Sequence, residues 1–239
     1  MSRQGGLVDA FVFTCEHGGN RIPAAYRSHF REHRALLATH RGYDAGALVM
    51  AKALARAFGA PLVTSTVSRL LVDLNRSIGH PRVFSAATHG AAAPLRAKIV
   101  ERHYVPYRME VERLVGESVS RGRRVIHISS HSFTPELDGK VRHADVGLLY
   151  DPRRHGETAL CARWKASLAA SAPELRVRRN YPYAGKGDGL TSYLRRHFSP
   201  RTYVGIELEL NQSIVLAAGS RWIALRRAIV ESLRTACAA

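Results

Sequence analysis

The sequence predicts an α/β fold, read as a three-layer α/β/α sandwich around a mixed, mostly parallel central sheet. Three observations lead there. Strand-like and helix-like segments alternate along the chain, as a layered α/β domain requires. The chain of 239 residues, 46% of them hydrophobic, is long enough to bury a sizeable core. Residues of catalytic type also stand at the ends of strand-like runs, where open α/β sheets place their ligands.

The elements follow in order. Ala10–Cys15 (AFVFTC) is a nearly continuous apolar run, the pattern of a buried central strand. Asp44–Phe58 reads as a helix in which Asp44 is a candidate N-cap. Ala47, Met50, Ala51, Leu54, Ala55 and Phe58 share one face of it, and Gly59 closes the end. Pro61–Val67 follows as a strand and completes a strand–helix–strand unit. A helical stretch from Leu95 to Ser118 is expected to bend or break near Pro106. Arg124–Ser129 is a second core strand, Glu157–Ala170 a helix, Tyr203–Leu208 a third core strand and Ser220–Ala236 the closing helix. With no internal repeat, low-complexity tract or linker, residues 1–239 are expected to form one domain. The segments Gly79–Ala93 and Phe133–Gly147 are long enough to serve as site walls or lids.

Composition narrows the function classes. No stretch is long and apolar enough to span a bilayer, and the opening MSRQGGLVDA lacks a basic-then-apolar signal, so a soluble, cytoplasmic protein without a membrane partner is expected. Cys15, Cys161 and Cys237 are odd in number, widely spaced and form no C-x-x-C pair, which fits reduced thiols. The net charge of +17 comes almost wholly from arginines dispersed along the chain. Without a recognition motif, an aromatic platform or a basic tail, that charge implies attraction of a small anionic substrate and no specific nucleic acid.

Three strand ends carry the chemistry. The first strand runs into Cys15-Glu16-His17-Gly18-Gly19-Asn20, the second into His131-Ser132, and the third carries Glu207. Two imidazoles with the carboxylates of Asp44 and Glu207 can converge there. A catalytic zinc takes three N/O ligands and leaves a position for water, and a further carboxylate is then needed to accept the water proton. Gly18 and Gly19 are expected to let the backbone pass close to metal and substrate.

Six segments in this order resemble the N-formylglutamate amidohydrolase family: EHGGNRIP (Glu16–Pro23), YDAGA (Tyr43–Ala47), SRLLVDLNRS (Ser68–Ser77), ISSHS (Ile128–Ser132), NYPYAGKGDG (Asn180–Gly189) and GIELELNQ (Gly205–Gln212). The resemblance implies a phosphorylase/hydrolase-like α/β/α plan shared with zinc carboxypeptidases and cell-wall amidases. It implies one zinc-type divalent ion per chain, with His17 the first ligand, His131 the last and Glu207 the general base. Where carboxypeptidases place an acidic ligand this chain has Asn20. The cell-wall amidases instead take an acidic ligand at the opening of the first helix, the place Asp44 holds here. The resemblance therefore favours Asp44 over Glu16, which directly precedes His17 where adjacent strand residues face opposite ways. One departure stands out: Glu209 occupies a position that is basic or polar in many members, which bears on the acidic end of the substrate.

The implied reaction is hydrolysis of the amide of an N-formyl or other N-acyl amino acid, a small and carboxylate-bearing substrate. Arg69 and Arg76, with Asn75 beside them, are candidates for gripping its carboxylate. Tyr183 and Lys186 offer polar contacts from a glycine-rich loop. Asn20, Ser130 and Ser132 are candidates for orienting the ligands by hydrogen bonds from behind. The alternatives are a broader metal amidase or peptidase on cell-wall-type acyl amides, and a nucleic-acid-binding protein on a degenerate hydrolase fold.

Overall fold

The computed structural model describes residues 7–238, so the first six residues of the N-terminal segment lie outside the described part. A six-stranded sheet is formed by β1 (Asp9–Cys15), β2 (Leu62–Thr64), β3 (Arg124–Phe133), β4 (Val146–Leu149), β5 (Val177–Arg179) and β6 (Tyr203–Asn211). Its order is β2-β1-β3-β6-β4-β5. The four strands from β2 to β6 run parallel; β4 pairs antiparallel with β6 and parallel with β5. The sheet is therefore mixed and mostly parallel, as the strand–helix alternation predicts.

Helices cover both faces. One layer holds α1 (Ala47–Phe58), α3 (His155–Ser171) and α5 (Gly219–Ala238); the other holds α2 (Val105–Ser120) and α4 (Leu190–His197). Successive strand residues point to opposite faces, so Phe13, Ile126, Ile128 and Ile206 join the first layer's core with Met50, Leu54, Trp164 and Ile229. Val12, Val125 and Tyr203 join Tyr107, Val111, Leu190 and Leu194 on the other side. Trp164 is fully buried and donates its indole N–H to Ser232 Oγ at 3.0 Å, tying α3 to α5. Trp164→Ala is expected to cost about 3–5 kcal/mol through lost burial and the cavity left behind. Urea unfolding with an unchanged m-value checks this.

The elements depart from expectation in informative ways. Helix α1 begins at Ala47 behind Gly46, whose φ of 76° breaks the helix, so Asp44 does not cap it. Its carboxylate is drawn into the site described below. Strand β3 continues four residues past Ser129, and β6 three past Leu208, because both stay hydrogen-bonded to each other as far as Phe133 and Asn211. Near Pro106 the helical stretch Ala93–Ile99 passes through a π turn over Val100–Tyr104 before α2 resumes. A proline lacks the N–H for an i→i−4 bond and its ring crowds the preceding turn, and the wider turn accommodates both. The strand expected over Pro61–Val67 is only three residues of regular sheet plus a bridge from Arg21 to Val67. Strands β4 and β5 are too short to show a period. Among the described residues no helix is long and apolar enough to cross a membrane.

Candidate metal centre

Alternation along the strands puts a polar stripe on one face of the sheet. Thr14 precedes Glu16 by two residues at the end of β1; His127, Ser129 and His131 recur at the same spacing on β3, and Glu207 and Glu209 on β6. The β3–β6 register sets Ser129 beside Glu207 and His131 beside Glu209. Deep in the sheet the stripe is closed structurally: His127 bonds Thr14 at 2.9 Å and Tyr203 at 2.7 Å. Toward the carboxyl ends of β1, β3 and β6 it opens into a cleft of about 610 Å³.

His17, Asp44 and His131 meet in that cleft, all three buried. The Asp44 backbone N–H donates to the His17 carbonyl at 2.9 Å, fixing the entry to α1 against the end of β1. One oxygen, Asp44 Oδ2, lies 3.3 Å from His17 Nδ1 and 2.8 Å from His131 Nδ1. The two rings stand edge to face, their centroids 5.1 Å apart. One ligand atom from each of the three side chains lies within 4.8 Å of the others. A tetrahedral ion with bonds of about 2.1 Å separates its ligand atoms by about 3.4 Å, so two nitrogens and one carboxylate oxygen at this spacing fit a zinc-type ion.

The outward nitrogens are also held. His17 Nε2 donates to Asp73 Oδ1 at 2.7 Å, and His131 Nε2 lies 3.0 Å from Glu16 Oε2 and 2.8 Å from Ser129 Oγ. Glu16 in turn accepts from Ser129 at 2.6 Å and from Tyr107 at 2.9 Å. Carboxylates behind ligating imidazoles fix ring orientation and raise ligand basicity. Glu16 thus faces the opposite ring nitrogen of His131 from Asp44. Burial raises the carboxyls of Glu16, Asp44 and Asp73, yet neighbouring charges and hydrogen bonds outweigh it. His131 holds Glu16 low; His17, His131 and Arg69 hold Asp44 low; Arg69 and His17 hold Asp73 low. For His131, burial lowers the imidazole, but Asp44 and Glu16 hold it well above the usual histidine range.

The remaining candidates divide. Glu207 lines the cleft, where its Oε1 accepts from Thr191 at 2.8 Å. Arg76 lines it too, donating Nη1 to the Asp188 carbonyl at 2.9 Å. Asn75 accepts the Leu190 N–H at 2.7 Å and sets Nδ2 3.5 Å from His131 Nε2. Tyr183 reaches the cleft, accepting from Arg142 at 2.9 Å. Arg69 lines the cleft, but its guanidinium meets Asp44 at 3.3 Å and Asp73 at 2.8 Å. Ser132 donates its backbone N–H to Asp44 Oδ2 at 3.4 Å, whereas Ser130 turns away to bond the Ala47 carbonyl at 2.9 Å. Asn20 and Lys186 are exposed and do not line the cleft.

Gly18 and Gly19 serve a different close approach from the expected one: a Cβ on them would come within 2.9 Å of the Ser65 carbonyl and 2.7 Å of the Thr66 carbonyl. They let the chain pass close to the segment after β2. Cys15 is buried among carboxylates, and burial first, then Glu16 and Asp44, push its thiol well up, away from reactivity.

Sequence reasoning did not foresee the partners of Asp73, Glu16 and Ser129, nor the buried position of Glu209 in the cleft. Glu209 is only 5% exposed, and its Oε2 has no hydrogen-bond partner among the described residues. Burial, with further contributions from Asp44 and Glu207, pushes its carboxyl up to about 8 despite the opposing His131. The signal available for it was the i, i+2 repeat of two glutamates in an otherwise apolar strand.

Known proteins share this fold. A structure of a gene product from Agrobacterium tumefaciens superposes with a TM-score of 0.82 at 28% identity, covering 95% of this chain and 90% of that one. An N-formylglutamate amidohydrolase from Ralstonia eutropha JMP134 has the same fold, with a TM-score of 0.70 at 18% identity over 98% of this chain and 95% of its own. No curated protein sequence matches the chain. The family model described as N-formylglutamate amidohydrolase matches residues 9–216, a span that contains every cleft residue named above. The chain belongs to the N-formylglutamate amidohydrolase family, hydrolases that act on amide bonds.

Proposed function

We propose that the protein is a metal-dependent amidohydrolase that cleaves an N-formyl or other N-acyl amino acid, with one zinc-type ion on His17, Asp44 and His131. The observation that carries this reading is the convergence of two imidazoles on one oxygen of Asp44 at the floor of the cleft. A divalent ion there supplies Lewis acidity, lowering the pKa of water and polarising an amide carbonyl.

The chain's own groups do the rest. A carboxylate facing the cleft accepts a proton from water and returns it to the departing amine nitrogen. Sequence reasoning gives Glu207 this role. A second reading, for Glu209, is favoured by a specific observation: Glu209 stands beside His131 in the sheet and carries the unpartnered buried oxygen, whereas Glu207 Oε1 already accepts from Thr191. Arg76 keeps part of its guanidinium fork for a substrate carboxylate, and Arg41 and Arg82 line the same cleft. Tyr183 closes one wall. Three unpaired cysteines fit a cytoplasmic setting.

The test is turnover of a panel of N-formyl and N-acetyl amino acids by protein freed of metal and reloaded with zinc. Expected is activity restored by metal and highest on carboxylate-bearing members of the panel. Salt-sensitive RNA binding without hydrolysis of any member overturns the proposal in favour of the nucleic-acid alternative.

A further inference from the structure

Arg69 enters as a candidate substrate anchor, yet its fork is turned into the wall of the cleft. Four side chains close a ring there. His17 Nδ1 faces Asp44 Oδ2 at 3.3 Å, and His17 Nε2 meets Asp73 Oδ1 at 2.7 Å. Arg69 then joins the two carboxylates, Nη2 to Asp73 Oδ2 at 2.8 Å and Nη1 to Asp44 Oδ1 at 3.3 Å. Each member touches two others, and each carboxylate spends one oxygen on the arginine and the other on an imidazole. Asp73 is held further by the Asn75 backbone N–H at 2.9 Å.

We propose that Arg69 is a positioning residue of the metal centre and not the anchor of the substrate. This rests on the proposed function. By occupying Oδ1, Arg69 leaves Asp44 a single oxygen, Oδ2, for the ion, which keeps a coordination position open for water and substrate. By gripping Asp73 it also holds His17 through the carboxylate behind the ring. A guanidinium suits the task because its two terminal nitrogens donate in a fixed planar fork to two acceptors at once. An ammonium carries the charge without the fork. Substrate carboxylates then fall to other cations of the cleft, Arg76 foremost.

The experiment compares the wild type with Arg69→Lys and Arg69→Ala in three readouts: zinc affinity by chelator competition, the visible spectrum of cobalt-loaded protein, and kcat and KM at saturating zinc. Expected is a ~10–100-fold loss of zinc affinity in Arg69→Ala, the range typical when a partner behind a metal ligand is removed. Arg69→Lys should fold as the wild type does, lose less affinity, and show a shifted cobalt spectrum as Asp44 gains freedom to offer both oxygens. At saturating zinc, kcat falls while KM stays near its wild-type value. Wild-type zinc affinity and cobalt spectrum in Arg69→Lys, together with a raised KM for carboxylate-bearing substrates alone, overturn the proposal and return Arg69 to the substrate. A wild type that takes up no metal overturns the proposed function as well, so the two failures are told apart.

Discussion

Glu209→Gln is expected to retain zinc and to lower kcat by ~10²–10⁴-fold, the usual contribution of a positioned general base. The amide keeps the size of the carboxylate and cannot accept the proton. Because Glu209 lies outside the set His17, Asp44 and His131, metal content should not change. Glu207→Gln is the paired measurement. Thr191 donates to Glu207 Oε1, and a glutamine carbonyl accepts the same bond, so the expected loss is smaller. Single-turnover kinetics on both variants, beside metal analysis, decide between the two carboxylates. A large loss in Glu207→Gln with near-wild-type turnover in Glu209→Gln assigns the proton to Glu207. The difference in environment justifies the order: Glu209 carries a buried oxygen with no partner among the described residues, whereas Glu207 Oε1 is already bonded by Thr191.

Much of the fold was legible because it rests on patterns of apolar residues. The AFVFTC run, the single face of α1 and the strand around Ile206 name their elements directly. Strands β4 and β5 were not legible, since four and three residues carry no period. In the site, His17 and His131 were named by strand-end placement and family resemblance together, and Asp44 as a ligand by the resemblance, as the acid standing in for one absent at Asn20. Asp44 shows the ambiguity of such reading. An aspartate before a helix is a cap by local rules, yet Gly46 breaks the geometry and frees the carboxylate for two distant imidazoles. Arg69 and Asp73 were written four residues apart in SRLLVDLNRS, but nothing in that spacing reveals that Asp73 closes on a histidine more than fifty residues upstream while Arg69 joins it to Asp44. Contacts of that range belong to the tertiary structure alone. Arginine in a basic chain reads as surface or substrate anchor until its acceptors are seen.

His17→Ala and His131→Ala are expected to abolish zinc retention and, with it, turnover. Loss of a partner behind a ligand alone costs ~10–100-fold in affinity, and removal of the ligand itself costs more. Both variants should still fold. Without His17, Asp73 keeps Arg69 and the Asn75 N–H, and Asp44 keeps His131 and Arg69. Without His131, Glu16 keeps Ser129 and Tyr107, and Asp44 keeps His17 and Arg69. Every buried carboxylate keeps hydrogen-bond donors, but Glu16 loses its ion-pair partner in His131→Ala, so that variant is expected to be the less stable of the two. The discriminating readout is therefore stability as a function of metal. A ligand that binds only the folded state stabilises it by about 2.7 kcal/mol at a hundredfold excess over its dissociation constant. The wild type should show that rise in thermal midpoint on adding zinc, and the two variants should show none. An equal rise in all three proteins places the ion elsewhere and removes His17 and His131 from the site; a rise in the wild type alone ties the metal to the two imidazoles that meet at Asp44.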